Sequence, residues 1–171
     1  VDYLSQVLVN GLFVSKGHRS DVRLTFVLEG SADFTRIISF DGSALGTIED
    51  QSERGLTELF GQCLRTSVGM LKDTEQQVLP GISVRTSSFD FLLKQYRDER
   101  PIFLLGPKGE DVRSAELPDN AVFVLTDHIP MPAKQAKSLV NRGAQLLSLG
   151  PVMLHASQCV VLVQNEYDRR Y

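Results

Sequence analysis

Two short apolar strands in the last third of this chain each stop at a polar, kinked loop, and that arrangement limits the fold more than any other feature. The first reads Ala121-Val-Phe-Val-Leu-Thr-Asp-His-Ile-Pro130 and the second Gln145-Leu-Leu-Ser-Leu-Gly-Pro151. Between them the spacing predicts one amphipathic helix. Pro132 stands at a first-turn position, Ala136, Leu139 and Val140 form the inner face, and Gly143 closes the segment. After them an apolar run from His155 to Glu166 is long enough for a final helix. Parallel strands need crossover connections of this kind, and open α/β sheets bind ligands at the carboxyl ends of such strands. The two loops are therefore the expected small-molecule site.

Upstream, Leu4, Val7, Leu8, Gly11 and Leu12 follow helical spacing, with an end near Ser15 to Gly17. Val22 to Leu28 reads as a strand, Gly30 to Asp33 as a turn, and Thr35 to Phe40 as the returning strand of a hairpin or else a neighbour in the same sheet. Leu56, Leu59, Phe60, Cys63 and Leu64 predict a second helix running to about Met70, and Lys72 to Gln77 reads as a solvated connection. From Ile82 to Thr86 onward, strand and helix alternate. Ser87 with Asp90 predicts the start of a helix carrying Phe89, Leu92, Leu93 and Tyr96, and Pro101 to Leu105 reads as a buried strand closed by Gly106-Pro-Lys-Gly109. This alternation predicts a mostly parallel sheet with helices on both faces, in a single domain spanning residues 1–171.

Composition narrows the function. Hydrophobic residues at 42% and charged residues at 23% describe a globular chain with a real core. No apolar run approaches the roughly 20 residues needed to span a bilayer, no leader pattern precedes the first helix, and the expected location is cytoplasmic. The chain begins at Val1 inside a helical pattern, so part of the amino terminus is expected to lie outside it. Cys63 and Cys159 form neither a CxxC pair nor a disulfide framework, and with His18, His128 and His155 scattered no metal site is expected. A net charge of -3 argues against indiscriminate nucleic-acid binding and leaves room for a local basic face. G-x-G-x-x-G after a strand, G-x-x-x-x-G-K-[ST] and G-x-S-x-G are all missing.

The segments VFVLTDHIPMP and SLGPVMLHASQCVVLVQNEYDR, with HRSDVRLTFVLEG and PGISVRTSSFDFLL in the same order and spacing upstream, resemble the SPOUT methyltransferases over nearly the whole chain. Within that class the likeness is to the pseudouridine N1-methyltransferases of archaeal tRNA and their bacterial relatives. The resemblance implies a deep trefoil knot in the carboxyl-terminal part of the sheet, S-adenosylmethionine held within it, and a homodimer paired through the closing helix. It implies cofactor contacts from Leu105, Thr126, Leu149, Gly150, Pro151, Val152, Met153, Leu154 and Cys159. Archaeal members carry glycine where this chain has Thr126, so a side chain there either narrows the pocket or points away. The implied activity is methylation of N1 of pseudouridine in a structured RNA, tRNA first. The alternatives are an RNA-binding or regulatory protein that keeps the fold without catalysis, and a methyltransferase acting on another base or on ribose.

The residues themselves leave choices open. Leu105, Leu149 and Leu154 suit an apolar slot for adenine, and equally a plain core; Gly150-Pro151 suits close approach to a ligand, and equally a turn. Cys159, among Val160, Val161 and Leu162, reads as a small buried apolar residue. Asp21 is the first candidate for the base that removes the N1 proton, or else a surface partner of Arg19 or Arg23; Asp127 is the second, or else an organiser of its loop. Lys16, His18, Arg19 and Arg23 cluster at one turn as candidate RNA contacts, with Arg85 and Arg113 as weaker ones, although a solvated turn has the same composition. The apolar circumference from Cys159 to Val163 is wider than a surface helix needs, which suits burial by a partner.

Overall fold

A computed structural model describes residues 2–30, 33–127 and 129–171, with the backbone alone at Asp2. The tip of the turn at Ser31 and Ala32, and His128, lie outside the described residues. The chain forms two compact units, Val1–Leu92 and Leu93–Tyr171.

In the first unit, helix α1 (Asp2–Leu12) is followed by a small hairpin of β1 (Phe13–Val14) and β2 (Gly17–His18). Strands β3 (Arg23–Leu28) and β4 (Arg36–Asp41) pair antiparallel, the first of the two arrangements the sequence leaves open. Helix α2 (Glu53–Thr66) starts at Ser52, whose hydroxyl accepts from the Gly55 amide at 3.1 Å, a cap worth about 1 kcal/mol. Strands β5 (Glu75–Leu79) and β6 (Ile82–Thr86) complete a four-stranded sheet of order β3-β4-β6-β5, antiparallel throughout.

That pairing corrects the expectation that β6 opens the parallel alternation. Only Pro80 and Gly81 separate β5 from β6, and Gly81 has φ +74°, so the connection is a hairpin; a parallel pair needs a crossover of a dozen residues or more. β5 occupies much of the stretch read as a solvated connection. All but one of its side chains are exposed, so no apolar alternation marks it. The core of this unit joins Leu8 and Leu12 of α1 to Phe26, Ile38, Phe40 and Val84 of the sheet and to Leu56, Phe60 and Cys63 of α2. Phe26, Phe40 and Phe60 meet edge to face, with centroids 5.0–5.9 Å apart. Leu64, expected on the inner face, is exposed.

Helix α3 (Phe89–Arg97) begins one residue later than predicted. The Ser88 hydroxyl accepts from the Phe91 amide at 3.1 Å, while Ser87 instead donates to Asp73 at 2.7 Å.

The second unit holds the parallel strands. Strands β7 (Ile102–Asp111), β8 (Val122–Val124) and β9 (Gln145–Ser148) lie in the order β8-β7-β9, with both pairs parallel. Helix α4 (Ala133–Asn141) connects β8 to β9, and α5 (Ala156–Arg170) closes the chain. Pro132 caps α4, and Gly143, at φ +101°, lies just past its end. Leu139 is buried against the unit, but Val140 is exposed, so the inner face of α4 is narrower than predicted. Phe103, Val112, Ala115, Leu117 and Leu147 form one core cluster, with Leu105, Phe123, Leu149 and Tyr167 packed at its margin, and Leu104, Val124, Val160 and Val163 are buried as well.

β7 does not end at Leu105. It pairs with β9 first through Phe103–Leu105 against Gln145–Leu147, and again through Glu110 and Asp111 against Leu147 and Ser148. Gly109 lies where the chain passes over β9. A Cβ there would stand 2.4 Å from the Leu147 amide nitrogen, so glycine alone fits the crossing.

Candidate functional site

The parallel register brings three loops to one end of the second unit's sheet. Leu104 pairs with both Val124 and Leu146, so Leu105, the residues after Val124 and the residues after Ser148 share the carboxyl edge. Here β8 and β9 end and the pairing of β7 lapses between Leu105 and Glu110, which leaves backbone groups available to a ligand. Leu105 and Leu149 are half-buried at the rim of the core, Thr126 is half-buried past β8, and Asp127 beside it is exposed.

Gly150 has φ +117°, a conformation that a side chain strains, and its amide donates to Ser148 Oγ at 3.1 Å. Among the described residues, nothing but chain neighbours lies within 4 Å of where a Cβ would stand on Gly150 or Gly106. Both loops thus present open backbone. Beyond Gly150, Pro151 is exposed, while Val152 and Met153 are 71% and 87% exposed; Leu154 turns back to a half-buried position. His155 caps α5 in a reciprocal box with Gln158, whose side chain accepts from the His155 amide at 3.0 Å. One turn on, Cys159 Sγ donates to the Leu154 carbonyl at 4.0 Å, and burial pushes its thiol pKa up. The thiol stays protonated and packs against the loop, without the traits of a nucleophile.

The strand register brings Leu105, Thr126, Asp127, Leu149 and Gly150, which the sequence singled out, to the carboxyl edge, while Leu154 and Cys159 meet each other at the start of α5. Sequence reading missed Gly106, Gly109 and Ser148. The signal available for the glycines was their spacing in Gly106-Pro-Lys-Gly109; a serine inside an apolar strand gives none.

A depression of about 480 Å³ in the same unit lies at the other end of the sheet, lined by Arg97, Asp98, Glu99, Arg100, Pro101, Ile102, Arg142, Gly143 and Ala144. It flanks the amino ends of β7 and β9, beside the carboxyl-terminal turns of α3 and α4. There the arginines complement the helix ends and Asp98 lies 3.7 Å from Arg97. Concavity alone does not make it the ligand site, because the uncommitted backbone is at the opposite edge.

The candidate RNA contacts belong to the first unit. Lys16 is exposed in the β1–β2 turn; His18 Nε2 donates to the Gly42 carbonyl at 3.0 Å; Arg19 is half-buried, with its amide bonded to Leu12; Arg23 pairs with Asp41. Asp21 is exposed in the bend between β2 and β3. Of the weaker candidates, Arg85 lies over the Phe91 ring at 5.2 Å, and Arg113 is held by Asp111, whose carboxyl pKa falls to about 2 under that guanidinium. Among the described residues no three His, Cys, Asp or Glu side chains gather as a metal site, and no helix is long and apolar enough to cross a membrane.

A sequence-family profile described as "Putative SAM-dependent RNA methyltransferase" matches residues 1–171. A Vibrio atlanticus protein named "Putative pseudouridine methyltransferase" is 43% identical over 169 residues, covering 99% of this chain and 85% of that protein. A protein of the same name from Photobacterium profundum is 44% identical over 167 residues, covering 98% and 84%. Among solved structures, the crystal structure of Archaeoglobus fulgidus Nep1 bound to S-adenosylhomocysteine matches with a TM-score of 0.64 at 18% identity, over 98% of this chain and 69% of that one. The α/β fold with parallel strands and flanking helices is thus shared with that structure.

Proposed function

Because the chain belongs to this family of SAM-dependent RNA methyltransferases, we propose that it transfers a methyl group from S-adenosylmethionine to N1 of pseudouridine in a structured RNA, tRNA first. The observation that carries this reading is the open backbone at Gly106 and Gly150 beside half-buried Leu105, Leu149 and Leu154, all at the carboxyl edge of the parallel strands.

That edge fits an adenosyl group. Leu105, Leu149 and Leu154 supply an apolar slot for the ring, and the loop amides supply donors for its edge. Gly150 admits close approach, Thr126 borders the slot from β8, Pro151, Val152 and Met153 wrap it, and Cys159 closes it from α5. When bound, the cofactor supplies an electrophilic methyl group on a sulfonium sulfur. The protein's task is alignment and proton removal. With N1 aligned toward that methyl group, a carboxylate of the protein would take the N1 proton. Asp127, exposed on the same loop as Thr126, takes precedence here over Asp21, the first candidate from the sequence, as that base.

Lys16, Arg19 and Arg23, with His18, serve as phosphate contacts in this reading. Val161 and Leu162, 44% and 39% exposed on α5, support a homodimer through that helix. The second pairing of β7 with β9, with Gly109 pressed on Leu147, is the kind of chain crossing a trefoil knot needs. The family match over residues 1–171 supports treating both units as one methyltransferase domain, working in the cytoplasm.

The test uses methyl-labelled S-adenosylmethionine, purified protein and RNA from cells lacking it, followed by nucleoside analysis. Label in N1-methylpseudouridine is expected. Label in another base or in ribose moves the acceptor, and no label together with no saturable cofactor binding removes catalysis.

A further inference from the structure

The last turn of α5 collects a run of backbone carbonyls that nothing in the proposed chemistry requires. Arg170 Nη1 donates to Ala115 O at 2.9 Å, and Nη2 donates to Val112 O at 2.7 Å and Arg113 O at 3.3 Å. Tyr167 and Tyr171 donate to Pro118 O and Leu117 O at 2.6 and 3.1 Å. Glu166 lies 3.6 Å from Arg170, whose side chain is only 27% exposed. Burial pushes the Tyr167 phenol up to about 12, and its ring meets Phe123 edge to face. A helix end needs no such clasp for its own sake, since exposed terminal turns fray at little cost.

Followed inward, the clasp leads to the donor loop. The Val112 carbonyl takes Arg170, the Val112 amide donates to the Ser148 carbonyl at 2.9 Å, and the buried Ser148 hydroxyl accepts from the Gly150 amide at 3.1 Å. The backbone from Gly150 through Leu154 then enters α5, which returns to Arg170. The circuit is closed. Among the described residues, the link of this circuit at Gly150, with its strained φ, is the serine hydroxyl, and the strand carrying that serine is held from the other side by Val112.

We propose that Arg170 is a positioning residue for methyl-donor binding, acting through Val112 and Ser148 to fix the loop at Gly150. This rests on the reading of the carboxyl edge as the S-adenosylmethionine site. Arg170 touches neither cofactor nor RNA in this account. It removes freedom from the loop before the ligand arrives, so its loss appears as weaker donor binding.

The experiment measures S-adenosylhomocysteine affinity by calorimetry and amide exchange by NMR for the wild type, Arg170→Ala, Arg170→Lys, Ser148→Ala and the Arg170→Ala/Ser148→Ala double variant. Arg170→Ala should weaken affinity about tenfold and speed exchange at Gly150 and Val112 while the Leu104 amide keeps its protection. Arg170→Lys, with one ammonium for several carbonyls, should recover part of the loss. The double variant should bind no worse than the weaker single variant, because both break one circuit. Should Arg170→Ala fail to fold, Ser148→Ala cuts the same circuit elsewhere, and its wild-type affinity would overturn the proposal. Additive losses in the double variant, or Arg170→Ala binding within twofold of wild type with Gly150 exchange unchanged, would overturn it as well. A wild-type protein that binds no S-adenosylhomocysteine would instead overturn the reading of the site, and this proposal with it.

Discussion

The two units treat their apolar residues in opposite ways. In the first, α1, α2 and an antiparallel sheet close on three phenylalanines, and most of the core is sealed from solvent. In the second, a parallel sheet of three strands buries Phe103, Leu104, Val124 and Leu147, together with Leu139 and Val160 of its helices, and leaves Ile129, Val152 and Met153 exposed on loops at the carboxyl edge. The first unit also exposes Val14, Val68, Leu71, Leu79 and Phe91, but its strands pair antiparallel and share no common carboxyl edge. A finished core has no vacancy for a ligand. The difference teaches that binding chemistry belongs where packing is left incomplete beside uncommitted backbone, which favours the second unit for the proposed donor site.

The largest expected effect tests the finished side of the contrast. Phe60→Ala removes a ring that meets both Phe26 and Phe40, and should lower unfolding free energy by about 3–5 kcal/mol in urea titrations. A loss below about 1 kcal/mol would mean that this core is not closed.

Two glycines divide the second unit in the same manner. Gly109→Ala forces a methyl group into the backbone of Leu146 and Leu147 and should cost about 1–3 kcal/mol of stability or more. Gly150→Ala meets open space and pays only the positive-φ strain, roughly 1–2 kcal/mol, yet should weaken S-adenosylhomocysteine binding at least about tenfold. Equal affinities for the Gly150 variant and the wild type would erase the distinction between crossing and site.

How much of this was legible in the sequence follows the same division. Strands β3, β4 and β8, helices α1 and α4, and the carboxyl-edge loops could be read because apolar spacing and turn residues agree there. β5 could not, since Glu75 to Gln77 are polar and exposed on both faces of an edge strand. Nor could the second half of β7: Gly106-Pro-Lys-Gly109 has the composition of a turn, and the pairing with β9 that makes it part of a strand lies on either side of it, at Leu105 and at Glu110. The clasp was invisible for another reason. Arg170 and Tyr167 bond to carbonyls more than 45 residues away in sequence, and carbonyls have no residue identity to read.

Chemistry should also divide by unit. Asp127→Asn is expected to lower kcat about a hundredfold with donor affinity intact, measured in single-turnover methyl transfer, while Asp21→Asn has a smaller effect. The reverse order would move the base to the first unit.

The smallest effect concerns pH. The Arg113 guanidinium lowers Asp111 to about 2 from 3.8, so its contribution to stability is full above about 4 and disappears as pH falls through 2. NMR titration of the carboxyl carbon should give that midpoint, and Arg113→Ala should return it toward the ordinary value. An unmoved midpoint would show that the pair does not hold Asp111.

The central claim is that the carboxyl edge of the parallel strands takes the methyl donor. Amide NMR during an S-adenosylhomocysteine titration tests it directly. Shifts should concentrate at residues 105–109, 125–127 and 149–155 and at Cys159; shifts gathered instead around Arg97, Arg100 and Arg142, or within the antiparallel sheet, would contradict it.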